Sequence, residues 1–231
     1  MAPSTAAPVT SAWGDAARWD AEYEHAAIPS SWRAAPARAI TALLPHARLT
    51  GASRVLDLGC GTGRNAVHLA SRAAWVRAVD CSAVAVAGAR ERVARHGLTN
   101  VTIEQATFGV DDLPDGRYDL ILDAYVSCHL LDGDERHAFL DRAMRLLAPG
   151  GCLLTIGLGV GDSYYARWRL GSSLVAVDPC NGVAKLLQPG DVATDDARAL
   201  GNVRASVTLD VPDTVAGATE QRQIHATLLE R

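Results

Sequence analysis

The chain has 231 residues, of which 48% are hydrophobic and 21% charged, and its net charge is −4. This size predicts one domain with a full core, and the weak acidity argues against a nucleic-acid partner, because nucleic-acid-binding proteins present clustered basic residues. Every apolar run is far shorter than the ~20 residues of a membrane span, so we expect no membrane partner.

The cysteines and the first residues indicate the compartment. Five cysteines, an odd number without any C-x-x-C spacing, argue against a disulfide framework or a zinc site, and a reducing cytoplasm fits best. Residues 1–10 are rich in Ala, Pro, Ser and Thr and lack the basic and apolar segments of a signal peptide. They are predicted to be a disordered tail.

Two helices are predicted next. Residues 11–27 have a helical pattern with Trp13, Trp19 and Tyr23 as large anchors, and Ser31 is a candidate cap for a second helix over residues 32–44. Residues 11–50 are therefore predicted to form a helical lid.

From residue 51 onward, predicted strands alternate with helices, which is typical of a parallel sheet covered on both faces. The five strands are predicted at residues 54–58, 75–79, 101–104, 118–124 and 152–158, and the helices at residues 64–72, 83–96 and 134–147. A hairpin over residues 174–187 belongs to an insert at residues 159–190, and a short helix at 191–200 precedes closing strands at 203–211 and 221–229. The predicted fold is an α/β, doubly wound, mostly parallel seven-stranded sheet with an antiparallel last strand.

A glycine loop after the first strand carries the strongest functional signal. Gly59, Gly61 and Gly63 follow a buried strand and open a helix, and glycine permits positive φ and close approach of a ligand. Asp57 precedes the loop, and Asp80 ends the next strand about 20 residues on, where an acid binds ribose hydroxyls. The pattern predicts a nucleoside cofactor, against the alternative of a tight turn without a ligand.

A nicotinamide cofactor is the rival interpretation. Counting from Gly61, the residues Gly63 and Ala66 satisfy the G-x-G-x-x-G/A fingerprint, so this frame stays open. However, Asp57 places a negative charge just before a loop that would have to bind pyrophosphate. An acid there suits a ligand with an ammonium and a sulfonium.

The run from Asp57 to Gly63 resembles motif I of class I S-adenosylmethionine-dependent methyltransferases, and the resemblance extends from about Trp19 to the end of the chain. It implies S-adenosylmethionine as cofactor and S-adenosylhomocysteine as product. The implied cofactor contacts are the ammonium for Asp57, the methionine and ribose for the loop, the ribose for Asp80 and the adenine for Cys81. The loop residues are Gly59, Cys60, Gly61 and Gly63.

Three later segments also resemble that family. Thr107 stands where the family often has an adenine-binding Asp, with Phe108 beside it, and Asp123 ends the fourth strand, next to the cofactor. Residues 146–151 resemble the L-x-P-G-G step before the fifth strand, and the closing strands match the family's antiparallel hairpin.

His129 and Tyr125 are the candidate catalytic residues, since both follow the fourth strand. His129 is a possible general base, against the alternative of a packing or capping histidine, and Tyr125 is expected to shape the methionine pocket. Aromatic residues beside arginines suit a planar or anionic acceptor, although ordinary packing explains them equally well. The candidate acceptor-binding residues are Trp19, Tyr23, Tyr164, Tyr165 and Arg167.

The residues after Asp123 do not form the Asn/Asp-Pro-Pro-aromatic motif of DNA amino-methyltransferases. We therefore expect a cytoplasmic monomer or homodimer that methylates a small molecule at O, N, S or C. A non-catalytic S-adenosylmethionine-binding module is the alternative from another class, and a nicotinamide-dependent oxidoreductase is the other enzyme considered.

Overall fold

The computed structural model describes residues 13–25, 29–111, 113, 117–215 and 217–231. The described strands are β1 (Arg54–Leu58), β2 (Trp75–Asp80), β3 (Val101–Gln105), β4 (Tyr118–Ala124), β5 (Leu147–Gly159), β6 (Val175–Val177), β7 (Ala184–Gln188), β8 (Asn202–Val215) and β9 (Ala218–Glu230). The described α-helices are α1 (Ala16–His25), α2 (Pro29–Trp32), α3 (Arg38–Leu43), α4 (Arg64–Ala70), α5 (Ala83–Arg95), α6 (Gly133–Leu146), α7 (Ser163–Ala166) and α8 (Gly190–Arg198). Short 3-10 helices span Leu44–Ala47 and Ser127–His129.

The centre of the sheet is parallel, in the order β3-β2-β1-β4-β5. Strand β9 runs antiparallel to β5, and β8 runs antiparallel to β9. The predicted class, a mostly parallel sheet closed by an antiparallel strand, is therefore confirmed.

Alternate residues of the central strands pack on opposite faces of the sheet, as the period of a strand requires. Val55 and Leu120 pack in the cluster that includes Ile40 of α3 and Leu69 of α4. Leu56 packs on the other face, in the cluster that includes Phe139 of α6. Helices therefore cover both faces, and the strand ends are the place left for a ligand.

The predicted number of strands, seven, is wrong, because the described sheet has nine. The two additional strands are β6 and β7, which form the hairpin predicted in the insert and then join the sheet through β7. Only two residue pairs, Leu158–Leu187 and Gly159–Gln188, make this parallel connection. Because this pairing involves so few residues, far apart in the chain, no periodic pattern in the sequence predicts it.

Strand β7 occupies a position that matters for the site. Leu158 pairs with Ile224 of β9 and also with Leu187 of β7. Since a strand has two edges, β7 lies on the edge of β5 opposite β9. That edge is the one β4 occupies up to the pair Ala124–Ile156, so β7 continues along it beyond the end of β4.

The second predicted helix, residues 32–44, is wrong over its first half. Helix α2 ends at Trp32 and α3 begins at Arg38. Pro36 explains the break, because a residue before proline is disfavoured in the helical region. Ser31 donates its hydroxyl to the buried carboxylate of Glu22 at 2.7 Å and is not the cap of a helix at residue 32.

The first helix, α1, is described over ten residues, whereas residues 11–27 were predicted. Residues 11, 12, 26 and 27 lie outside the described residues, as does the predicted tail at 1–10. Within the described part of the chain, no helix has the length and hydropathy required to cross a bilayer. The same residues contain no group of three or more His, Cys, Asp and Glu side chains arranged to hold a metal.

Candidate active site

A cavity of about 480 Å³ lies at the carboxyl ends of β1, β2 and β4, which is where open α/β sheets bind ligands. Trp19 and Tyr23 of α1 contribute to its wall, together with Lys185 of β7 and Arg222 of β9. The predicted site residues that line it are Trp19, Tyr23, Gly59, Cys60, Gly61, Asp80, Cys81, Thr107, Phe108, Tyr125, His129 and Tyr165.

The glycine loop has no room for side chains where it faces the cavity. Gly59 and Gly61 have φ angles of 58° and 55°, a region that favours glycine. A Cβ atom on Gly59 would collide with Val126, and one on Gly61 would lie 2.7 Å from the hydroxyl of Tyr23. At these two positions the loop therefore contributes backbone atoms alone to the cavity wall.

Gly63 serves helix packing and does not line the cavity. It precedes α4 with a φ of 78°, and a Cβ atom there would lie 3.1 Å from Cβ of Ala89 on α5. The third glycine thus permits the close approach of α4 and α5, which fixes the loop from behind.

Asp80 is held in place by backbone amides. Its Oδ2 accepts from the amide of Gly61 at 2.8 Å, and its Oδ1 accepts from the amide of Ser82 at 2.9 Å. Burial raises the pKa of this carboxyl, while the two amides oppose that effect. Each carboxylate oxygen accepts more than one hydrogen bond, so Asp80 retains acceptor capacity where it lines the cavity.

Asp57 lies behind the loop, fully buried and outside the cavity wall. Neither of its oxygens has a hydrogen-bond partner among the described residues; the amide of Ala66 approaches without hydrogen-bond geometry. Burial raises its pKa to about 8, and the nearby charge of Arg64 opposes this. A buried carboxyl without partners is costly, and a cationic ligand group close to the loop would offset that cost.

The end of the cavity near β2 and β3 is lined mainly by apolar side chains. Phe108 lines it and packs edge-to-face on Phe139, with ring centroids 5.0 Å apart. Cys81, Ala106 and Thr107 complete this wall. Such surfaces suit a planar ring.

Helix α1 is attached to the cofactor side of the cavity through Asp20. Its Oδ1 accepts from the hydroxyl of Ser82 at 2.6 Å and from the amide of Val84 at 3.1 Å. These bonds lower the pKa of Asp20. A carboxylate at the N-terminus of α5 is favourable for the same reason that Asp is a good cap, so α1 is anchored over the site.

The turn after β4 places His129 and Tyr125 on the cavity wall. Tyr125 has a φ of 66°, which is unusual for a bulky residue and marks a locally strained backbone. Asp123 does not line the cavity; its Oδ1 accepts from the amides of Val126 and Ser127 at 3.2 and 3.0 Å. Asp123 therefore shapes the turn from below.

His129 is a buried, neutral imidazole. Its Nδ1 lies 3.1 Å from the carbonyl oxygen of Ala184, and a carbonyl only accepts, so Nδ1 carries the hydrogen and Nε2 is an acceptor. Burial, reinforced by the charge of Lys185, lowers the pKa of His129 to about 3. The ring packs edge-on against Trp19, with centroids 4.9 Å apart.

The cations of the cavity wall, above all Lys185, were not among the residues predicted from the sequence. This side chain is 3% exposed, and its Nζ donates to the hydroxyl of Tyr165 and, at 3.0 Å, to Oδ2 of Asp178. Burial raises the pKa of Asp178, but Lys185 and the hydrogen bonds from Cys180 and Tyr165 outweigh it and hold the pKa below its ordinary value. Lys185 is the only lysine among 22 Lys and Arg residues. This rarity could have marked it as a candidate site residue from the sequence.

The other missed cations are arginines. Arg222 donates from Nε to Oδ2 of Asp162 at 2.6 Å, and Arg33 forms an ion pair with Asp213. Arg64, directly after the glycine loop, also lines the cavity, and within the described residues no carboxylate oxygen lies within 4.0 Å of its guanidinium.

Two of the candidate acceptor-binding residues lie away from the cavity wall. Tyr164 packs edge-to-face on Tyr165, and its hydroxyl lies 3.5 Å from Sγ of Cys180. Arg167 is half-exposed and pairs with Glu220 at 2.5 Å. Of the candidates in the insert, only Tyr165 reaches the cavity.

Comparison with known proteins shows which part of the chain matches a known domain. Residues 55–151 match the family model of a methyltransferase domain. The 2-heptyl-1-hydroxyquinolin-4(1H)-one methyltransferase of Mycobacteroides abscessus is 31% identical over 133 residues, which are 58% of this chain and 57% of that protein. The chain thus spans less than two thirds of that relative.

Solved structures show the same fold over most of the chain. One, from a study of the conversion of a disulfide bond into a thioacetal group during echinomycin biosynthesis, has a TM-score of 0.70 and 24% identity, covering 94% of this chain and 92% of that one. The N-methyltransferase NodS from Bradyrhizobium japonicum WM9, in complex with S-adenosyl-l-homocysteine, has a TM-score of 0.62 and 16% identity, covering 92% and 97%. The chain therefore contains a segment, residues 55–151, that is similar to a methyltransferase domain, within a fold that it shares with these solved structures.

Proposed function

We propose that the protein transfers a methyl group from S-adenosylmethionine to a small-molecule acceptor. The observation that carries the proposal is the pairing of two carboxylates around one bare loop: Asp80 with free acceptor capacity in the cavity, and Asp57 buried without a partner. The ribose hydroxyls of a bound ligand can donate to Asp80, and an ammonium group of that ligand close to the loop would offset the burial of Asp57. When bound, S-adenosylmethionine supplies an activated methyl group on a sulfonium.

The protein's own part is to bind, align and exclude water, since a sulfonium methyl group is already activated. Gly59 and Gly61 provide the backbone surface under the cofactor, and Phe108 with Thr107 provides the adenine wall. Tyr125 shapes the methionine end. Helix α1, within the proposed lid of residues 11–50, closes the site above the loop.

His129 is the proposed general base for an acceptor that must lose a proton. Its Nε2 is an acceptor, and its low pKa keeps the imidazole unprotonated at neutral pH, so that it can take up a proton there, although only as a weak base. Cys128 is not proposed as a nucleophile, because burial raises the pKa of its thiol to about 12.

Two further features support an enzyme over a binding module. The cavity continues from the cofactor loop to Tyr165 and Lys185, in the proposed acceptor-covering insert of residues 159–190, which leaves space for a second molecule. The curated relative named above acts on a small molecule according to its name. A nicotinamide cofactor would place pyrophosphate beside the Asp57 carboxyl, which is unfavourable when that carboxyl is ionised.

We also place the protein in the cytoplasm as a monomer or homodimer that does not act on nucleic acid. The five cysteines are all free, as suits a reducing compartment. The net charge of −4 disfavours a polyanionic substrate.

The proposal is tested with labelled methyl donor and a metabolite panel, followed by mass spectrometry. We expect one or more metabolites to gain a labelled methyl group, with S-adenosylhomocysteine as the second product. Calorimetry with S-adenosylhomocysteine and with NAD separates the two cofactor classes. Binding of NAD alone would reject the proposal, and tight S-adenosylhomocysteine binding without turnover of any metabolite would favour the non-catalytic module.

A further inference from the structure

We propose that the acceptor is a small molecule bearing a carboxylate or a similar oxyanion, and that Lys185 and Arg222 bind this group. The inference rests on the proposed methyltransferase function and adds the chemical class of the acceptor.

The position of Lys185 in the sheet defines the acceptor end of the cavity. The cofactor loop and Asp80 follow β1 and β2, whereas β7 lies beyond the end of β4, on the other side of β1. His129 is hydrogen-bonded to Ala184, the residue before Lys185. Lys185 and the proposed base therefore share one end of the cavity, separated from the adenosine end by the tips of β1 and β4.

The ion pairs at this end have a common orientation. Lys185 and Arg222 both line the cavity. Their hydrogen-bonded partners, Asp178 and Asp162, are fully buried and do not line it, whereas Asp213, 3.9 Å from Nη1 of Arg222, does. Each of the two hydrogen-bonded pairs therefore turns its positive end toward the bound molecule, with its carboxylate behind.

Lys185 retains donor capacity. An ammonium has three N–H donors, and among the described residues two are used, by Tyr165 and Asp178. Because the side chain is buried, a third bond to a charged oxygen would form away from water, where such bonds are strongest. Tyr165 lines the cavity beside it and fixes the ammonium from one side.

The same arrangement disfavours other acceptors. A protonated amine would meet like charges on Lys185 and Arg222, and the cavity-lining carboxylate nearest to them, Asp213, is already paired with arginines. Among the described residues, the other carboxylate that lines the cavity is Asp80, next to the loop; Asp213 pairs with Arg33 and, at 3.9 Å, with Arg222. A neutral amide would accept a hydrogen bond from Lys185 but would lack the attraction between opposite charges. We expect this loss to weaken its binding roughly tenfold relative to a carboxylate.

The single lysine permits a direct test. Protein labelled with 13C at lysine Cε and loaded with S-adenosylhomocysteine gives one side-chain signal, which is followed during titration with benzoate and trans-cinnamate. Benzamide, cinnamamide and benzylamine serve as neutral and cationic matches. We expect the carboxylates to shift the signal and to bind roughly tenfold or more tightly than the amides. Equal binding by amides or benzylamine, or no shift with either carboxylate, would overturn the inference.

A charge-neutral double variant tests the residue itself. Lys185→Met with Asp178→Asn removes both members of the buried pair, and Arg198→Gln with Asp195→Asn removes an exposed pair on α8 as the matched control. We expect the preference for carboxylates to fall by roughly tenfold only in the first variant, with S-adenosylhomocysteine affinity kept in both. Retention of the preference in a folded Lys185 variant would overturn the assignment, and the titration of the unaltered protein decides if that variant does not fold. Failure of the unaltered protein to bind S-adenosylhomocysteine would instead reject the proposed function.

Discussion

Replacing Gly61 with alanine tests whether the loop is a ligand surface. Gly61 and Gly97 both have positive φ angles, 55° and 62°, so a Cβ atom is conformationally strained at either position. The surroundings differ: a Cβ atom on Gly61 would lie 2.7 Å from the hydroxyl of Tyr23, whereas one on Gly97 would have no atom within 4 Å. Gly97→Ala is therefore a matched control for backbone strain.

The expected magnitudes follow from these two environments. Adopting the left-handed conformation costs an alanine about 1–2 kcal/mol, and both variants should lose about this much free energy of unfolding. Gly61→Ala has an additional steric cost of about 1–3 kcal/mol, because Tyr23 on α1 must move. The same methyl group occupies the surface proposed to contact the cofactor, so we expect its dissociation constant to rise roughly tenfold or more, since about 1.4 kcal/mol corresponds to tenfold.

Urea unfolding without ligand measures the stability of both variants, and calorimetry with S-adenosylhomocysteine measures binding. The expected pattern is normal affinity in Gly97→Ala and weakened affinity in Gly61→Ala. If both variants bind S-adenosylhomocysteine as tightly as the unaltered protein, the loop does not contact the ligand, and the reasoning from its geometry fails.

Three other carboxylate and histidine predictions concern binding, pH and turnover. Asp80→Ala should weaken S-adenosylhomocysteine binding roughly tenfold or more, measured by calorimetry, because charged hydrogen bonds to hydroxyls contribute about 1.5–3 kcal/mol. The raised pKa of Asp57, about 8 against an ordinary 3.8, means that the folded state holds a proton that the unfolded state releases. Stability should therefore fall as pH rises between these two values, by at most about 1.4 kcal/mol per pH unit, and Asp57→Asn should remove this slope in pH-dependent urea unfolding. His129→Asn, which keeps a donor for Ala184, should lower kcat by about 100-fold or more while leaving S-adenosylhomocysteine affinity within about twofold.

Controls and contrary outcomes differ for each. For Asp80, unchanged affinity would remove it from the ribose site. For Asp57, an equal pH slope in the variant would show that other buried acids cause it. His225 is the control for His129: it is also buried, with a pKa lowered to about 4 by burial, but it does not line the cavity. Equal rates in His129→Asn and the unaltered protein would reduce His129 to a packing residue.

The parts of the fold that could be predicted have local signals. The strand before Gly59, the acid at the end of β2 and the turn-bounded hairpin of β6 and β7 each follow from short patterns of residue type. The break before α3 was also encoded locally, in Pro36, and was overlooked because the apolar pattern continued through it.

The acceptor end could not be predicted in the same way. Lys185 comes to the cavity only because β7 pairs with β5 beyond the end of β4, and this pairing depends on tertiary packing. Equally, nothing in the sequence places Tyr165 in the cavity and Tyr164 behind it, because the two are adjacent and the direction of α7 decides which one faces the site. One signal was visible in the sequence: Lys185 is the single lysine of the chain and lies in an apolar run. Its rarity marks it, whereas no periodic pattern does.

The route by which β7 enters the sheet has an evolutionary consequence. The surfaces for the two reactants come from separate stretches of chain: the glycine loop and Asp80 lie within residues 59–81, whereas Lys185 lies about a hundred residues later and meets the sheet through two residue pairs. Substitutions in the hairpin can therefore change acceptor specificity without disturbing the cofactor-binding surface. A lineage that kept the first stretch and varied the second would diversify its chemistry by small, local steps.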